Sequence, residues 1–433
     1  MTTEQLYKIY LKTPQICTDT RKITASCLFF ALKGDNFDGN KFAHQAIDSG
    51  AAYAIIDDAK YAMNDRFIIV QDVLETLQDL ARLHRKQLKI PVIGITGSNG
   101  KTTSKELIRS VLSQQFNTFA TEGNLNNHIG VPLSILSVTS DCEIAIIEMG
   151  ANHQLEIAFL CSIAQPSHGM ITNIGKAHLE GFGGIQGVRI GKGELYEYLY
   201  KSSGIVFLNN NDQTLSNMAR ERGLAHTIGY GTGDNNFVSA RLKNSSPCLS
   251  IDWNLSKEPK HTAFSNLPGN YNFDNICAAI CIGGYFNLSA DKINKGIHLY
   301  QPLNNRSQLL KTQNNTIICD YYNANPSSMT VALDNLDATD AQSKVLILGD
   351  MYELGNESAN EHRLILEKAL LTKAQRRIFV GEEFYKLRGI ENAEFYKNTS
   401  EAFEALNQHA VKQSTILLKG SRGMKLESLL NIL

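Results

Sequence analysis

The sequence predicts an α/β protein of three domains, and three observations carry that expectation. Short apolar runs rich in Ile, Val and Leu recur along the chain. Helical patterns lie between many of them, as a parallel sheet covered by helices requires. At 433 residues and 43% hydrophobic content, the chain can fill several cores of roughly 100–200 residues each.

The first block, 1–88, has strand-like runs at 27–32, 52–56 and 67–70. An amphipathic helix over 74–88 follows, with Leu74, Leu77, Leu80, Ala81 and Leu83 apolar. This predicts a small α/β N-terminal domain. The second block, 89–304, opens with an apolar run at 90–95 and a helix-compatible stretch at 104–112. Further strands are expected at 144–148, 170–174 and 204–208, so the central domain reads as a doubly wound, mostly parallel sheet. Residues 235–260 are polar and read as a peripheral hairpin or loop, and 276–285 as an apolar helix. The third block, 305–433, carries strands at 316–319, 345–348, 378–380 and 415–418, with helices at 361–371 and 399–409. It predicts a smaller, Rossmann-like α/β C-terminal domain.

Composition excludes several classes. Charged residues are 20% and the net charge is −1, so no basic field points to nucleic acid. The opening Met1-Thr2-Thr3-Glu4-Gln5 lacks the basic and apolar regions of a secretory leader. No apolar run approaches the ~20 residues that span a bilayer, so no membrane insertion is expected. None of the eight cysteines forms a C-x-x-C pair. Cys277 and Cys281, four apart in an apolar helical pattern, could be a metal or redox pair, but read as buried small hydrophobes. The expected setting is the reducing cytoplasm.

The chemistry concentrates in Thr96-Gly97-Ser98-Asn99-Gly100-Lys101-Thr102-Thr103, between an apolar strand and a helix. Its glycines let backbone N–H groups curl around phosphate oxygens, and the helix N-terminus adds partial positive charge. Lys101 can reach the outer phosphates, and the Thr102 hydroxyl can hold Mg²⁺. The strict G-x-x-x-x-G-K-T spacing fails, because its first glycine position falls on Ile95. The competing reading is a glycine turn that only caps a helix.

Other candidates are weaker one by one. Glu148 ends an apolar strand, where α/β proteins bind ligands, yet taken alone it is an ordinary strand-end acid. His178, in Gly175-Lys176-Ala177-His178-Leu179-Glu180, follows the next strand and can serve a metal or a substrate. Lys192 sits in Gly191-Lys192-Gly193 and reads as a solvated lysine at a helix start. Asn275 opens the helix at 276–285, where an Asn caps the helix or reads a base edge equally well. In the third block, Asp320 to Ser328, Gly349 to Gly355 and Lys419 to Arg422 are polar loops after strands, expected at one sheet edge.

Taken together and in this order, these motifs resemble the Mur ligase family of ATP-dependent peptide-bond-forming enzymes. Within it, the resemblance is to the branch that joins D-alanyl-D-alanine to UDP-N-acetylmuramoyl-tripeptide in peptidoglycan precursor synthesis. It runs from Asp19-Thr20-Arg21 to Lys419-Gly420-Ser421-Arg422, and the narrower likeness rests on residues 29–34, 124–133, 148–153, 322–326 and 349–355. The resemblance implies a first domain that binds the nucleotide-sugar peptide through Asp19, Thr20 and Arg21. It implies ATP on Gly97 to Thr103, with Asn275 beside adenine and Arg306 and Asp320 as a hinge-side pair. It further implies two Mg²⁺ ions, one on Thr102 and Glu148, the other on His178 and a carbamylated Lys192. Lys101, His178 and Lys192 are the expected catalytic residues. Asn126, Asn323, Asn325, Lys419, Ser421 and Arg422 are expected to hold substrate, in a monomer.

The chain departs from the family pattern at Phe182-Gly183-Gly184 and Gln186, where Phe-Gly-Ser and an acid are expected. One hydroxyl and one charge are therefore absent. A related ligase adding another amino acid or glutamate, and a non-catalytic nucleotide-binding regulator, are the alternatives. Intact Lys101, Thr102, Glu148, His178 and Lys192 argue against the regulator.

Overall fold

The computed structural model describes residues 1–433 apart from Lys257 and Asn304. Asn304, the expected end of the second block, thus lies outside the described residues. Three main sheets make up the α/β architecture, with one two-stranded ribbon.

The first sheet is parallel throughout, in the order Ile16–Cys17, Leu28–Phe30, Tyr53–Ile56, Phe67–Ile69. The helix Val73–Gln87 begins where the Asp72 side chain accepts from the Glu75 N–H. Its apolar stripe does not stay with the first sheet alone. The Gln78 side chain donates to the His128 carbonyl (3.0 Å), and Arg85 donates to the carbonyls of Ala164 (2.9 Å) and Gln165 (3.0 Å). A further helix, Thr3–Tyr10, is too short for its periodicity to stand out in sequence. Its Tyr10 hydroxyl donates to the Leu136 carbonyl at 2.6 Å.

The central sheet has nine strands. Val92–Thr96 lies inside it, with Ile144–Glu148 and then Thr118–Ala120 on one side. On the other side come His168–Ile171, Ile205–Asn209, Thr227–Gly231, Val238–Asn244, Ser250–Leu255 and His261–Phe264. Only the last two join antiparallel. Within 235–260, Val238–Asn244 and Ser250–Leu255 form a hairpin that extends the main sheet, the first of the two alternatives for this stretch. Val238, Ala240, Ile251 and Trp253 are buried, and the indole N–H donates to Asn294 Oδ1 at 3.0 Å. Polar residues on the other face hid this alternation.

The third sheet runs Gln308–Lys311, Thr316–Asp320, Thr415–Lys419, Lys344–Gly349, Arg376–Val380, Glu394–Tyr396. All neighbours are parallel except the first pair. Both edge strands are only half-buried, so neither shows as an apolar run. The adjacent parallel strands Thr316–Asp320, Thr415–Lys419 and Lys344–Gly349 bring their three polar loops to one edge. No helix among the described residues is long and apolar enough to cross a membrane.

Candidate functional site

After Val92–Thr96 the chain builds strands on one side of it, then crosses to the other. That makes this strand the topological switch point of the sheet, where a crevice opens at the strand ends. The glycine loop fills that position. Gly97 and Gly100 hold φ of 140° and 80°, a region open to glycine. A side chain on Gly97 would also strike Thr172, its Cβ falling 2.0 Å from Oγ1. The helix Lys101–Leu112 follows directly.

Asn173, which the sequence reading does not single out, pins the loop. Its Oδ1 accepts from the Asn99 N–H and its Nδ2 donates to the Asn99 carbonyl, both at 3.0 Å. Its place at the end of an expected strand was the available signal. Lys101 folds back, donating to the carbonyls of Gly97 (2.6 Å) and Ser98 (3.2 Å). Burial pushes its amine down to about 8.

Beside the loop, the Thr102 hydroxyl donates to Glu148 Oε2 at 2.9 Å, and Asn126 Nδ2 donates to Oε1 at 2.9 Å. Glu148 is 1% exposed, so it is a buried carboxylate rather than an ordinary strand-end acid. Lys105, a second residue missed in sequence, supplies counter-charge 3.9 Å from Glu148 Oε2. Its own ammonium also donates to the Thr121 carbonyl.

Asn275 neither caps its helix through a backbone amide nor stands free. Its Oδ1 accepts from the Ser104 hydroxyl and its Nδ2 donates to Asn272 Oδ1, each at 2.9 Å. It still lines the cavity described below.

Lys192 corrects the surface reading. It lies inside the helix Ile185–Lys201, not at its start, and is 1% exposed. Its Nζ donates to the Ala151 carbonyl at 2.9 Å and sits 4.9 Å over the Phe182 ring. Desolvation holds the amine well below the usual lysine range, and nearby Lys101 adds to the effect. A side chain on Gly191 would meet Phe182 Cε1 at 2.5 Å, so this glycine makes room for the ring. Gly183 and Gly184, where the family pattern breaks, face open space, and Gln186 is exposed.

The third unit closes the site from the opposite side. Asn325 Nδ2 donates to Asn99 Oδ1 at 2.8 Å, and its Oδ1 caps the helix Pro326–Ala338. The Lys176 ammonium is paired with buried Glu361 at 2.5 Å, and the Lys176 N–H donates to Ser327 Oγ. His178 Nδ1 lies 2.5 Å from Glu353 Oε2 but makes no in-line hydrogen bond among the described residues.

The two hinge-side residues, Asp320 and Arg306, have different partners. Asp320 binds Lys419, Nζ to Oδ2 at 2.6 Å. Arg306 instead stacks on Tyr322 with its guanidinium carbon 3.8 Å from the ring centroid, and its buried Nε has no partner among the described residues. Ser421 is buried and accepts from the Tyr352 N–H, while the Arg422 guanidinium carbon lies 5.3 Å from the Tyr322 ring centroid. Asp19 and Arg21 form an exposed ion pair at the end of the first sheet.

A cavity of about 1330 Å³ opens between the central and third units. The glycine loop, Glu148, His178, Asn275, Arg306 and Lys419 reach its wall. Asp19, Thr20 and Arg21 stand apart from that wall, and Lys192 lies behind it.

This geometry agrees with the known proteins the chain matches. Family models describe residues 14–85 as "Mur ligase family, catalytic domain", 95–283 as "Mur ligase middle domain" and 305–422 as "Mur ligase, glutamate ligase domain". The UDP-N-acetylmuramoyl-tripeptide–D-alanyl-D-alanine ligase of Bacillus subtilis (strain 168) is 35% identical, covering 96% of this chain and 92% of its own. MurF from Acinetobacter baumannii superposes with a TM-score of 0.88 at 29% identity, over 99% of this chain and 98% of that one. MurF ligase from Thermotoga maritima, solved with ADP, gives 0.85 at 25% identity over 98% and 97%. Three family models over successive blocks and a relative 35% identical across 96% of this chain show that the chain belongs to the Mur ligase family.

Proposed function

We propose that this chain is an ATP-dependent ligase joining D-alanyl-D-alanine to UDP-N-acetylmuramoyl-tripeptide. The observation that carries the reading is the cavity, where a phosphate loop on one unit faces strand-end polar loops on another. The nearly full-length likeness to ligases of that name supports the substrates.

In this reading the first unit holds the nucleotide end of one substrate through Asp19, Thr20 and Arg21. The central unit holds ATP on Gly97 to Thr103, with adenine toward Asn275. The third unit holds the dipeptide near Asn323, Asn325 and Lys419, and Ser421 and Arg422 support that edge. The terminal carboxylate of the tripeptide takes the γ-phosphoryl group, releasing ADP and leaving an acyl phosphate. The dipeptide amine attacks the acyl carbon and loses a proton, and the tetrahedral adduct collapses to amide and phosphate. Lys101 must leave its own loop carbonyls to meet phosphate oxygens, and the incoming anion then compensates its burial. Closure of the third unit keeps water from the acyl phosphate.

Magnesium suits the donors present, because the Thr102 hydroxyl and the Glu148 carboxylate are hard oxygens beside the phosphate loop. When bound it would supply positive charge to the phosphate oxygens. Among the described residues no three His, Cys, Asp or Glu side chains form a metal cage, as expected where phosphates complete the sphere. His178 and a carbamate on Lys192 would hold a second ion. A depressed amine supports that chemistry, since only the neutral form takes up CO₂.

The test is ADP release. Rapid release should require nucleotide tripeptide and D-alanyl-D-alanine together. Equal turnover with D-alanine alone or with L-alanyl-L-alanine would overturn the substrate assignment.

A further inference from the structure

Two non-glycine residues with left-handed backbones meet across the central and third units. His178 has φ 52° and Glu353 has φ 62°. Such conformations are strained for residues other than glycine and persist where surroundings over-determine them. Here both sides are fixed. On the third unit, the Met351 N–H donates to His362 Nε2 (3.0 Å) and the Tyr352 N–H to Ser421 Oγ (3.0 Å). Met351 and Leu354 are buried on either side of Glu353. On the central unit, the Glu180 N–H approaches the Glu353 carbonyl at 3.5 Å, and Gly355 packs on the Glu180 side chain. The result places Glu353 Oε2 2.5 Å from His178 Nδ1 at the cavity wall, near but not in line for a hydrogen bond, since Nδ1 has no partner among the described residues.

We infer that Glu353 is a positioning residue: carried in with the third unit, its carboxylate fixes the ring of His178, so that domain closure itself orients the histidine. An exposed ion pair would add little to stability, and Glu353 keeps about half its side-chain surface, so the contact is better suited to orientation than to holding the fold. A small turn of the ring would bring the Nδ1–H into line with the carboxylate and leave Nε2 to face a ligand. Carboxylates behind a histidine act this way, and removing one costs roughly ten- to hundredfold. The inference rests on the ligase reading of the same cavity.

The experiment compares wild type with Glu353→Ala and Glu353→Gln. In magnesium-free protein, nitrogen NMR of the His178 ring, assigned with His178→Asn, should show Nδ1 carrying the proton in wild type. Glu353→Ala should lose that preference, and Glu353→Gln, which keeps an acceptor oxygen, should retain part of it. In ADP release, kcat should fall roughly ten- to hundredfold for Glu353→Ala, with KM for ATP nearly unchanged and a smaller fall for Glu353→Gln. An unaltered ring spectrum in Glu353→Ala, or wild-type kcat, overturns the inference. If wild type itself shows no dipeptide-dependent ADP release, the ligase reading fails, and the ring spectrum alone decides the pairing.

Discussion

Lys101 and Lys192 sit in two regions that solve one problem differently. Each buries a lysine amine below the central sheet's strand ends, and desolvation depresses both. Around Lys101 the surroundings are glycines and backbone carbonyls that can release the amine to an anion. Around Lys192 they are a phenyl ring and one carbonyl, with Phe182 pressed over glycine-sized gaps. The first region is built to exchange partners. The second disfavours the charged form of its amine and holds it still, which suits chemistry on the nitrogen itself.

Removing the exchanging lysine should have the largest effect. Lys101→Ala is expected to lower kcat for ADP release on the order of 10²- to 10³-fold, because charge on the transferred phosphoryl group loses its fixed cation. Added acetate should not help. Near-normal turnover would remove Lys101 from the phosphate path.

Lys192→Ala should lose most activity, roughly ten- to hundredfold, while staying folded. Here acetate should restore part of it, since the space left behind admits a small anion. A folded variant with near-normal turnover defeats the carbamate reading, as does the lack of any CO₂-derived mass on Lys192 in native protein.

Gly191→Ala tests the second region without touching either amine. The new methyl must displace Phe182, so a loss of about 1–3 kcal/mol in unfolding free energy is expected. Helix propensity returns up to about 1 kcal/mol. Turnover should fall several-fold, and a variant with unchanged kcat would show that the ring is dispensable to Lys192.

The smallest effect on turnover is expected at a buried group outside both regions. His168 is 9% exposed among Phe207, Tyr285 and Phe286, and burial pushes its imidazole down to about 4. Below the ordinary histidine value the unfolded chain takes a proton that the folded one refuses. Stability is therefore lost as pH falls from about 6.5 toward 4, by an amount on the order of 3 kcal/mol. His168→Phe should flatten that loss in thermal unfolding and leave turnover near pH 7.5 unchanged, within about twofold. An acid slope as steep as wild type would place the titration elsewhere.

The contrast also explains what sequence could reveal. The glycine loop was legible because everything that shapes it is local: an apolar strand, two left-handed glycines and a helix start within a dozen residues. Glu148 and the three strand-end loops followed from strand order, since parallel neighbours bring their ends together. Lys192 was illegible, because its burial comes from Ala151, 41 residues away, and from Phe182 on a separate turn. The ion pair of Asp320 with Lys419 likewise depends on which strands are neighbours in the third sheet. Short edge strands escaped because half-buried strands mix polar and apolar residues, and the same mixture left 235–260 open between a hairpin and a loop.

The helix Val73–Gln87 has a mechanical consequence. Arg85 and Gln78 fasten it to carbonyls of the central unit, although it emerges from the first sheet. These bonds tie the first unit to the central one, and a fixed link of this kind acts as a ruler. With the nucleotide end proposed for the first unit and the phosphate loop at a set distance, only a peptide of matching length brings its carboxylate to the loop. Selection between shorter and longer precursors would then be made by span before any side chain is read.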